Sequence, residues 1–514
     1  MKVTRFQWVM ALAVAGFLPA APAVAEGIVI PAQRAFEAPV APVYHFTGLA
    51  AEPTLADGLS SRSLHDEDSA ASVPTDAYAG CGDGCDAGCG DGCDAGCGDG
   101  CDSGCGSSCC DCGPIWPCGC ALADLGDPCK LWEPCCAESP WSMNGWLDQS
   151  FVWNPYNPDD KFNGPMTWTD RANEYQMQEF WLGGGRTTNT DGAGIDIGGR
   201  IDAFYGTNYR WDTAAGLETP FGINGQFYGM AIPNAYGEVA INNTKIKIGH
   251  FTSPVGFFAV GSPNNFFAVL PYTFQYGEPF THTGFLATNQ ISDKLAVGGG
   301  MTHGWDVFDN SGNPNAGGLW TVTLTPNDKD AFYYVGLVGN EPNFTGTNFN
   351  AQTGLGFTTR YLQTLVWTHQ VSDNVQAVLQ SDFGTQSDAV VAGKDARWYG
   401  LNGYLFWNQT NRFQWGMNGE WFRDQGGFRV GGVLPSFGSP NARGLSLGRS
   451  GYDGSFYRFM IGPRYFFNPN MYARVSLACD WYDGKVNNAG GLKPFDDGTK
   501  NHQQVMVFDF VTTF

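Results

Sequence analysis

Cysteine dominates the residues able to do chemistry: the chain has 16, and 15 of them precede residue 140. Cys81, Cys85, Cys89, Cys93, Cys97, Cys101 and Cys105 recur at every fourth position, separated mostly by Gly and Asp. Cys109, Cys110, Cys112, Cys118, Cys120, Cys129, Cys135 and Cys136 follow, and Cys479 stands alone. A spacing of four would align thiols on a helix face, but each Gly costs a helix about 1 kcal/mol. The repeat also lacks the paired CxxC…CxxC spacing of a zinc site. In an oxidising compartment such thiols form disulfides, so cross-linking within or between chains is the expectation. Metal binding and a spacer with no specific role stay open as alternatives.

Catalytic patterns are missing. There is no GxSxG elbow and no HExxH, and His282 and His303, among seven scattered histidines, have no obvious partners. No catalytic residue, metal site or cofactor is assigned, and the chain is not expected to be an enzyme. A net charge of -22 disfavours nucleic acid as a partner, because phosphate binding needs a basic face.

The elements that carry these residues begin with an export signal. Lys2 and Arg5 form a basic start, Phe6 to Leu18 an apolar run, and Ala23-Val24-Ala25 a small-x-small cleavage site, so residues 1–25 are expected to be removed. Residues 26–80 are rich in Ala, Pro, Ser and Asp without a sustained period and predict a flexible linker. Residues 81–140 form the Cys-rich, low-complexity, disordered or disulfide-linked segment, and 141–514 the remaining domain.

That domain has an unusual balance. The chain carries 70 Gly, 14% aromatic and only 15% charged residues, against about 25% charged in an ordinary soluble protein. The mean hydropathy of -0.22 and the lack of a further apolar run of about 20 residues exclude a bundle of membrane helices. Only helices and closed barrels satisfy every backbone hydrogen bond in lipid, so a membrane-embedded form must be a barrel.

Period-two alternation supports this. Met506, Phe508, Phe510 and the terminal Phe514 oppose Val505, Val507, Asp509 and Thr513. Met471, Val475, Leu477, Cys479 and Trp481 alternate with Arg474, Ser476 and Asp480, and Tyr457, Phe459, Ile461 and Tyr465 with Arg458 and Arg464. Phe413, Trp415, Met417 and Trp421 oppose Gln414, Asn418 and Glu420, while Ile197, Ile201 and Tyr205 oppose Asp196, Arg200 and Asp202. Near 174–186 the register is less regular, and a strict count turns Glu179 toward lipid. The pattern predicts about sixteen strands, joined alternately by short turns such as Asn242-Asn243 and Asn468-Pro469-Asn470 and by long loops such as 154–173, 255–280 and 425–454. The fold class is therefore all-β, a transmembrane antiparallel barrel. Sixteen strands leave room for an aqueous channel.

One loop carries motifs of its own: Gly249-His250-Phe251-Thr252-Ser253-Pro254-Val255-Gly256, then Asn264-Asn265-Phe266-Phe267, then Tyr272 to Phe280 and Thr281-His282-Thr283-Gly284. Through these stretches, and over most of 141–514, the sequence resembles the β-barrel porin-2 (OmpL-like) family. Phe257 and Phe258 stand where members of that family often carry an acidic residue. The resemblance implies an outer-membrane porin: a passive, water-filled channel for small hydrophilic solutes and ions. The alternative is a structural envelope barrel, plugged and fastened through its Cys-rich segment. In sixteen-stranded porins the loop after strand five folds into the lumen, so 255–280 is the constriction candidate by position, with Phe257, Phe258, Asn264, Asn265, Tyr272 and Glu278 as its candidate residues. Its aromatics are expected to pack against the wall more than to touch solute.

The candidate pore-lining cations are Arg200, Lys245, Lys247, Arg458, Arg464 and Arg474; the anions are Asp196, Asp202, Asp382, Glu420, Asp480 and Asp509. Any single one of them is more often a transverse salt bridge that stiffens the wall, or a charge at a strand end. Facing rows of opposite charge predict weak ion selectivity. Outer-membrane lipid, the barrel-assembly machinery (through the C-terminal strand), disulfide-linked envelope partners and further copies, as a trimer, are the expected partners.

Overall fold

The computed structural model describes Leu125 and residues 128–132, 139–218, 227–309, 316–343, 349–350, 355–391, 393–430, 451–486 and 491–514. The export segment, the linker and every candidate disulfide cysteine except Cys129 lie outside the described residues.

The strands are β1 (Trp141–Trp153), β2 (Tyr175–Arg186), β3 (Ile195–Gly206), β4 (Gly229–Ile241), β5 (Thr244–Thr252), β6 (Thr281–Ser292), β7 (Leu295–Thr302), β8 (Gly317–Leu324) and β9 (Asp330–Asn343). They continue as β10 (Phe349–Asn350), β11 (Leu355–Ser372), β12 (Val375–Val391), β13 (Lys394–Asn408), β14 (Phe413–Gln425), β15 (Tyr452–Asn468), β16 (Met471–Val486) and β17 (His502–Thr513). β10 is a two-residue addition to β11; the other sixteen form a closed antiparallel barrel. β17 returns to β1, with Trp146 opposite Thr513 and Trp153 opposite Met506. Phe514 completes the seam: its N–H donates to the Gly145 carbonyl at 3.0 Å, and its own carbonyl accepts the Gly145 N–H at 2.8 Å. No strand edge is left among these sixteen, which is the condition for crossing lipid as a sheet.

Alternation sorts the side chains as the sequence predicts. Outward positions such as Phe459, Trp481 and Phe508 are exposed, and the positions between them, such as Met460, Asp480 and Asp509, are buried. Both chain ends of the barrel, and the short connections 242–243, 293–294, 373–374 and 469–470, lie at one end. The opposite end carries the long loops and one exception: β12 and β13 follow each other with only 392–393 between them.

The irregular register in β2 is a bulge. Asp148 of β1 faces Glu179 while the next residue, Gln149, faces Met177, so Gln178 is an extra residue. Gln178 and Glu179 are both buried inside, which corrects the lipid-facing position a strict count gives Glu179. An ionised carboxyl in the lipid-facing wall would cost several kcal/mol; the bulge removes that conflict.

Candidate channel constriction

The connection from β5 to β6, residues 253–280, is folded inside the barrel. Residues 271–280 are buried throughout. Apolar side chains of this loop (Phe258, Val260, Phe266, Phe267, Val269, Leu270) pack with inward wall residues including Trp146, Trp181, Tyr404, Phe406, Met460 and Val507. The rings are close, with Phe266 5.1 Å from Phe406 and Phe257 5.2 Å from Tyr404 between centroids. A short 3-10 turn, Ser262–Asn264, and a wide turn, Thr273–Gly277, shape the inserted segment.

Polar contacts fix its position. Glu420 of β14 accepts the N–H groups of Tyr272 (2.8 Å) and Thr273 (2.6 Å) and the Thr273 hydroxyl (2.8 Å). Arg458 of β15 donates to the Leu270 carbonyl and lies 4.2 Å from the centre of the Tyr272 ring. Arg464 donates to the Asn265 carbonyl at 2.5 Å. Arg474 of β16 donates to the carbonyls of Ser262 (3.0 Å) and Asn265 (2.7 Å) and to the Ser262 hydroxyl (2.5 Å). Glu179, brought inside by the bulge, accepts the Ser262 N–H at 3.1 Å and the Trp146 indole N–H at 2.7 Å. At the far end of the loop, the Gln380 amide donates to Glu278 (2.5 Å) and to Asp382 (2.8 Å). Charged groups thus supply the partners that a buried loop backbone requires.

Two glycines allow this approach. Gly256 has φ of +81°, and a Cβ there would stand 2.3 Å from a Glu278 carboxyl oxygen. At Gly416 on β14 a Cβ would stand 2.4 Å from the Phe266 ring.

All twelve sequence-derived wall candidates project to the interior side of the sheet, but they fall into separate groups. Glu420, Arg458, Arg464 and Arg474 hold the loop. Asp480 and Asp509 pair with Arg458 (2.6 Å) and Arg474 (2.5 Å), and Asp382 accepts the Thr364 hydroxyl at 2.8 Å. Arg200 and Asp202 pair with each other at 2.7 Å, and Asp196 pairs with Arg186 at 2.7 Å. Lys245 and Lys247 are half-buried, Lys247 lying 4.3 Å from the Tyr236 ring centre. The paired charges are therefore neutralised within one strand (Arg200 with Asp202) or between neighbouring strands; this differs from facing rows across an opening. Of the loop candidates, Phe257, Phe258, Tyr272 and Glu278 pack against the wall, and the Asn265 side chain accepts the Ala259 N–H (2.9 Å) and donates to the Ala259 carbonyl (2.8 Å). Asn264 caps no wall group and is half-buried.

Several contributors are not legible as site residues in the sequence. Asp148 and Glu179 line, with Gln178, Asn208, Ser262 and Asp509, a small cavity of about 10 Å³ between the loop and β1, β2 and β17. Asp306, in the connection after β7, accepts the N–H groups of Phe280 (2.9 Å) and Thr281 (2.8 Å), securing the end of the inserted loop. Burial pushes its carboxyl up to about 6. Glu218, after β3, accepts the N–H groups of Ala214 (2.9 Å) and Ile232 (2.8 Å), and burial pushes it up to about 7.

Residues 140–514 match the family described as "putative beta-barrel porin-2, OmpL-like". The chain belongs to this family. It is an outer-membrane porin, a non-enzymatic channel for passive diffusion. No curated protein sequence matches it. Among solved structures it is similar to the outer membrane channel DcaP of Acinetobacter baumannii, with 10% identity, 73% of this chain and 97% of that chain covered, and a TM-score of 0.47. It is also similar to the anion-selective porin from Comamonas acidovorans (9% identity, 73% and 100% covered, TM-score 0.47) and to OprB of Pseudomonas putida (12%, 73% and 94%, 0.46). In this porin the inserted loop takes up the side of the lumen bounded by β12–β17, β1 and β2.

Proposed function

We propose that small hydrophilic solutes and ions cross this porin along the wall of β4–β7, beside the inserted loop, with weak charge selectivity. The observation that carries the reading is an asymmetry of burial. Interior positions on β13–β17, among them Asn402, Met460, Ser476 and Val507, are fully buried under the loop. Interior positions on β4–β7 toward the short-turn end, among them Glu238, Lys245, Lys247, Thr288, Gln290 and Ala296, stay half-exposed. Two cations and one anion on that strip, with Asp196 nearby already paired, favour neither ion strongly. Bilayer recordings in asymmetric KCl test this. Discrete steps with a reversal potential well short of the ideal single-ion value are expected; a reversal potential close to that ideal value would contradict it.

The expected envelope partners belong to the same proposal. Export through residues 1–25 delivers the chain, and the C-terminal strand ending at Phe514 presents it to barrel-assembly machinery. The segment before β1 meets the short-turn end: Leu125 packs with Phe466, Tyr472 and Val511, and the Cys129 N–H donates to the Asn470 side chain at 2.6 Å. Short turns mark the periplasmic side of such barrels. The Cys-rich segment cross-links to itself, to another copy or to an envelope partner. Non-reducing electrophoresis checks this: identical migration with and without reductant removes the cross-linking.

A further inference from the structure

The small cavity between the inserted loop and the wall has a lining rich in unmatched oxygens. Five of them have no hydrogen-bond partner among the described residues: Asp148 Oδ1, Thr169 Oγ1, Gln178 Oε1, Asn208 Oδ1 and Asp509 Oδ1. The residues that carry them are only 2 to 4% exposed. Buried polar atoms in folded proteins are nearly always satisfied, so five around one space of about 10 Å³ point to a ligand that meets them.

Neighbouring contacts hold these oxygens in place. Arg474 takes the other oxygen of each aspartate, Asp509 Oδ2 at 2.5 Å and Asp148 Oδ2 at 3.4 Å. The Asn208 amide N–H donates to Glu179 Oε1 at 2.8 Å, and the Gln178 amide N–H donates to the Ser150 hydroxyl, so both amide oxygens are left free. Glu179 has nothing to spare, since its second oxygen accepts the Trp146 indole and the Ser262 N–H. Its charge still faces the cavity.

Chemistry narrows the ligand. Four of the five oxygens can only accept, and a space of this size takes one particle as large as a water. A water brings two hydrogens for four acceptors. Asp148 and Asp509 also stand within hydrogen-bond reach of each other, where two ionised carboxylates repel. A cation satisfies all five oxygens together and removes that repulsion. No sulfur or imidazole is among the lining residues, which selects a hard ion. Three carboxylates, at 148, 179 and 509, against the Arg474 guanidinium favour a divalent charge. Carboxylate, amide and hydroxyl oxygens in an irregular shell suit Ca²⁺, which takes six to eight oxygens at about 2.3–2.6 Å, better than Mg²⁺, which demands a near-ideal octahedron.

We propose that this cavity is a calcium site that fastens the closing seam of the barrel to its loops. Asp148 on β1 and Asp509 on β17 come together only where the sheet closes on itself. Gln178 is the extra residue of the β2 bulge, and Thr169 and Asn208 belong to the connections after β1 and β3. The unfolded chain scatters these five ligands from residue 148 to residue 509. An ion that binds only the closed barrel stabilises it by mass action.

The test uses the full chain, refolded in metal-free detergent with reductant, and titrates Tb³⁺, a luminescent stand-in for Ca²⁺ excited through nearby indoles. Trp168 lines the cavity and Trp146 lies against Glu179. Saturable sensitised emission, reversed by Ca²⁺ far better than by Na⁺ or Mg²⁺, is expected. Asp148→Asn and Asp509→Asn keep the side-chain shape and should each weaken Tb³⁺ binding by about tenfold or more. Asp373→Asn, in an exposed short turn, should leave it unchanged. Ca²⁺ should also raise, relative to EDTA, the temperature at which the folded band of the wild type is lost, and should not do so in the aspartate variants. If those variants do not refold, Thr169→Val, which removes one oxygen from a loop, should show the weaker binding. Folded wild type without Ca²⁺-reversible emission, reversal by Na⁺ or Mg²⁺ as strong as by Ca²⁺, or wild-type affinity in the refolded cavity variants overturns the proposal.

Discussion

Replacing Glu420 by Ala should release the inserted loop without opening the barrel. Glu420 accepts two loop N–H groups and one hydroxyl, at 2.6 to 2.8 Å. Hydrogen bonds to a charged group contribute about 1.5–3 kcal/mol each, so three amount to roughly 5–9 kcal/mol before the freed donors find water. Rehydration inside a water-filled barrel returns much of that, leaving a net loss of about 3 kcal/mol, or about a hundredfold in the docked-to-undocked ratio. Other anchors persist, since Arg458, Arg464 and Arg474 still hold the carbonyls of Leu270 and Asn265. The expected phenotype is therefore a barrel that refolds and shows larger mean single-channel conductance with more frequent fluctuation of the open level. Glu420→Gln keeps one acceptor and should lie between the two. If Glu420→Ala refolds and its conductance and open-level noise equal those of the wild type, the contacts of Glu420 do not set the loop position and the reasoning fails.

Further outcomes follow from the same contacts. Gly416→Leu drives a side chain into Phe266, and overpacking of this kind costs about 1–3 kcal/mol, so the temperature at which the folded, heat-modifiable band is lost should fall; an unchanged temperature would mean that the ring moves aside freely. Asp306 and Glu218 have carboxyls raised to about 6 and about 7, above their unfolded values, so the folded loops hold a proton more tightly than the unfolded chain. The ionised forms are the disfavoured ones, and loop stability is greatest below pH 4 to 5 and declines as pH rises through 6 to 7. Limited proteolysis of the long loops should be slower at pH 5 than at pH 8, once corrected for the protease's own pH profile, and equal corrected rates would contradict this. Lys245→Glu with Lys247→Glu changes the half-exposed strip by four charges, from two positive to two negative, and should move the KCl reversal potential toward cations; no movement would place the solute path elsewhere.

How much of this is legible in the sequence depends on range. The alternation of Met471 to Trp481 against Arg474, Ser476 and Asp480 is a property of neighbours, and the wall follows it residue by residue. Turn chemistry is equally local: Asn242 takes the left-handed backbone (φ +50°) that a two-residue turn needs. The bulge at Gln178 is not local, because it depends on which residues of β1 stand opposite, and so Glu179 is misplaced by counting. The role of the inward charges is the least legible. Arg474 reads as an inward cation, but its partners are backbone carbonyls at Ser262 and Asn265, more than 200 residues away, and no residue type announces a carbonyl. The loop's aromatic content does announce packing, and Phe257, Phe258 and Phe266 meet Tyr404 and Phe406.

The central claim is that a folded barrel with its fifth connection inserted still passes solute. Swelling of liposomes carrying the refolded full chain, exposed to neutral sugars of increasing size, tests it most directly. Uptake that is fast for the smallest sugar and falls with size is the predicted result. No swelling with any sugar, in liposomes whose protein is shown by heat-modifiable migration to be folded, would contradict it.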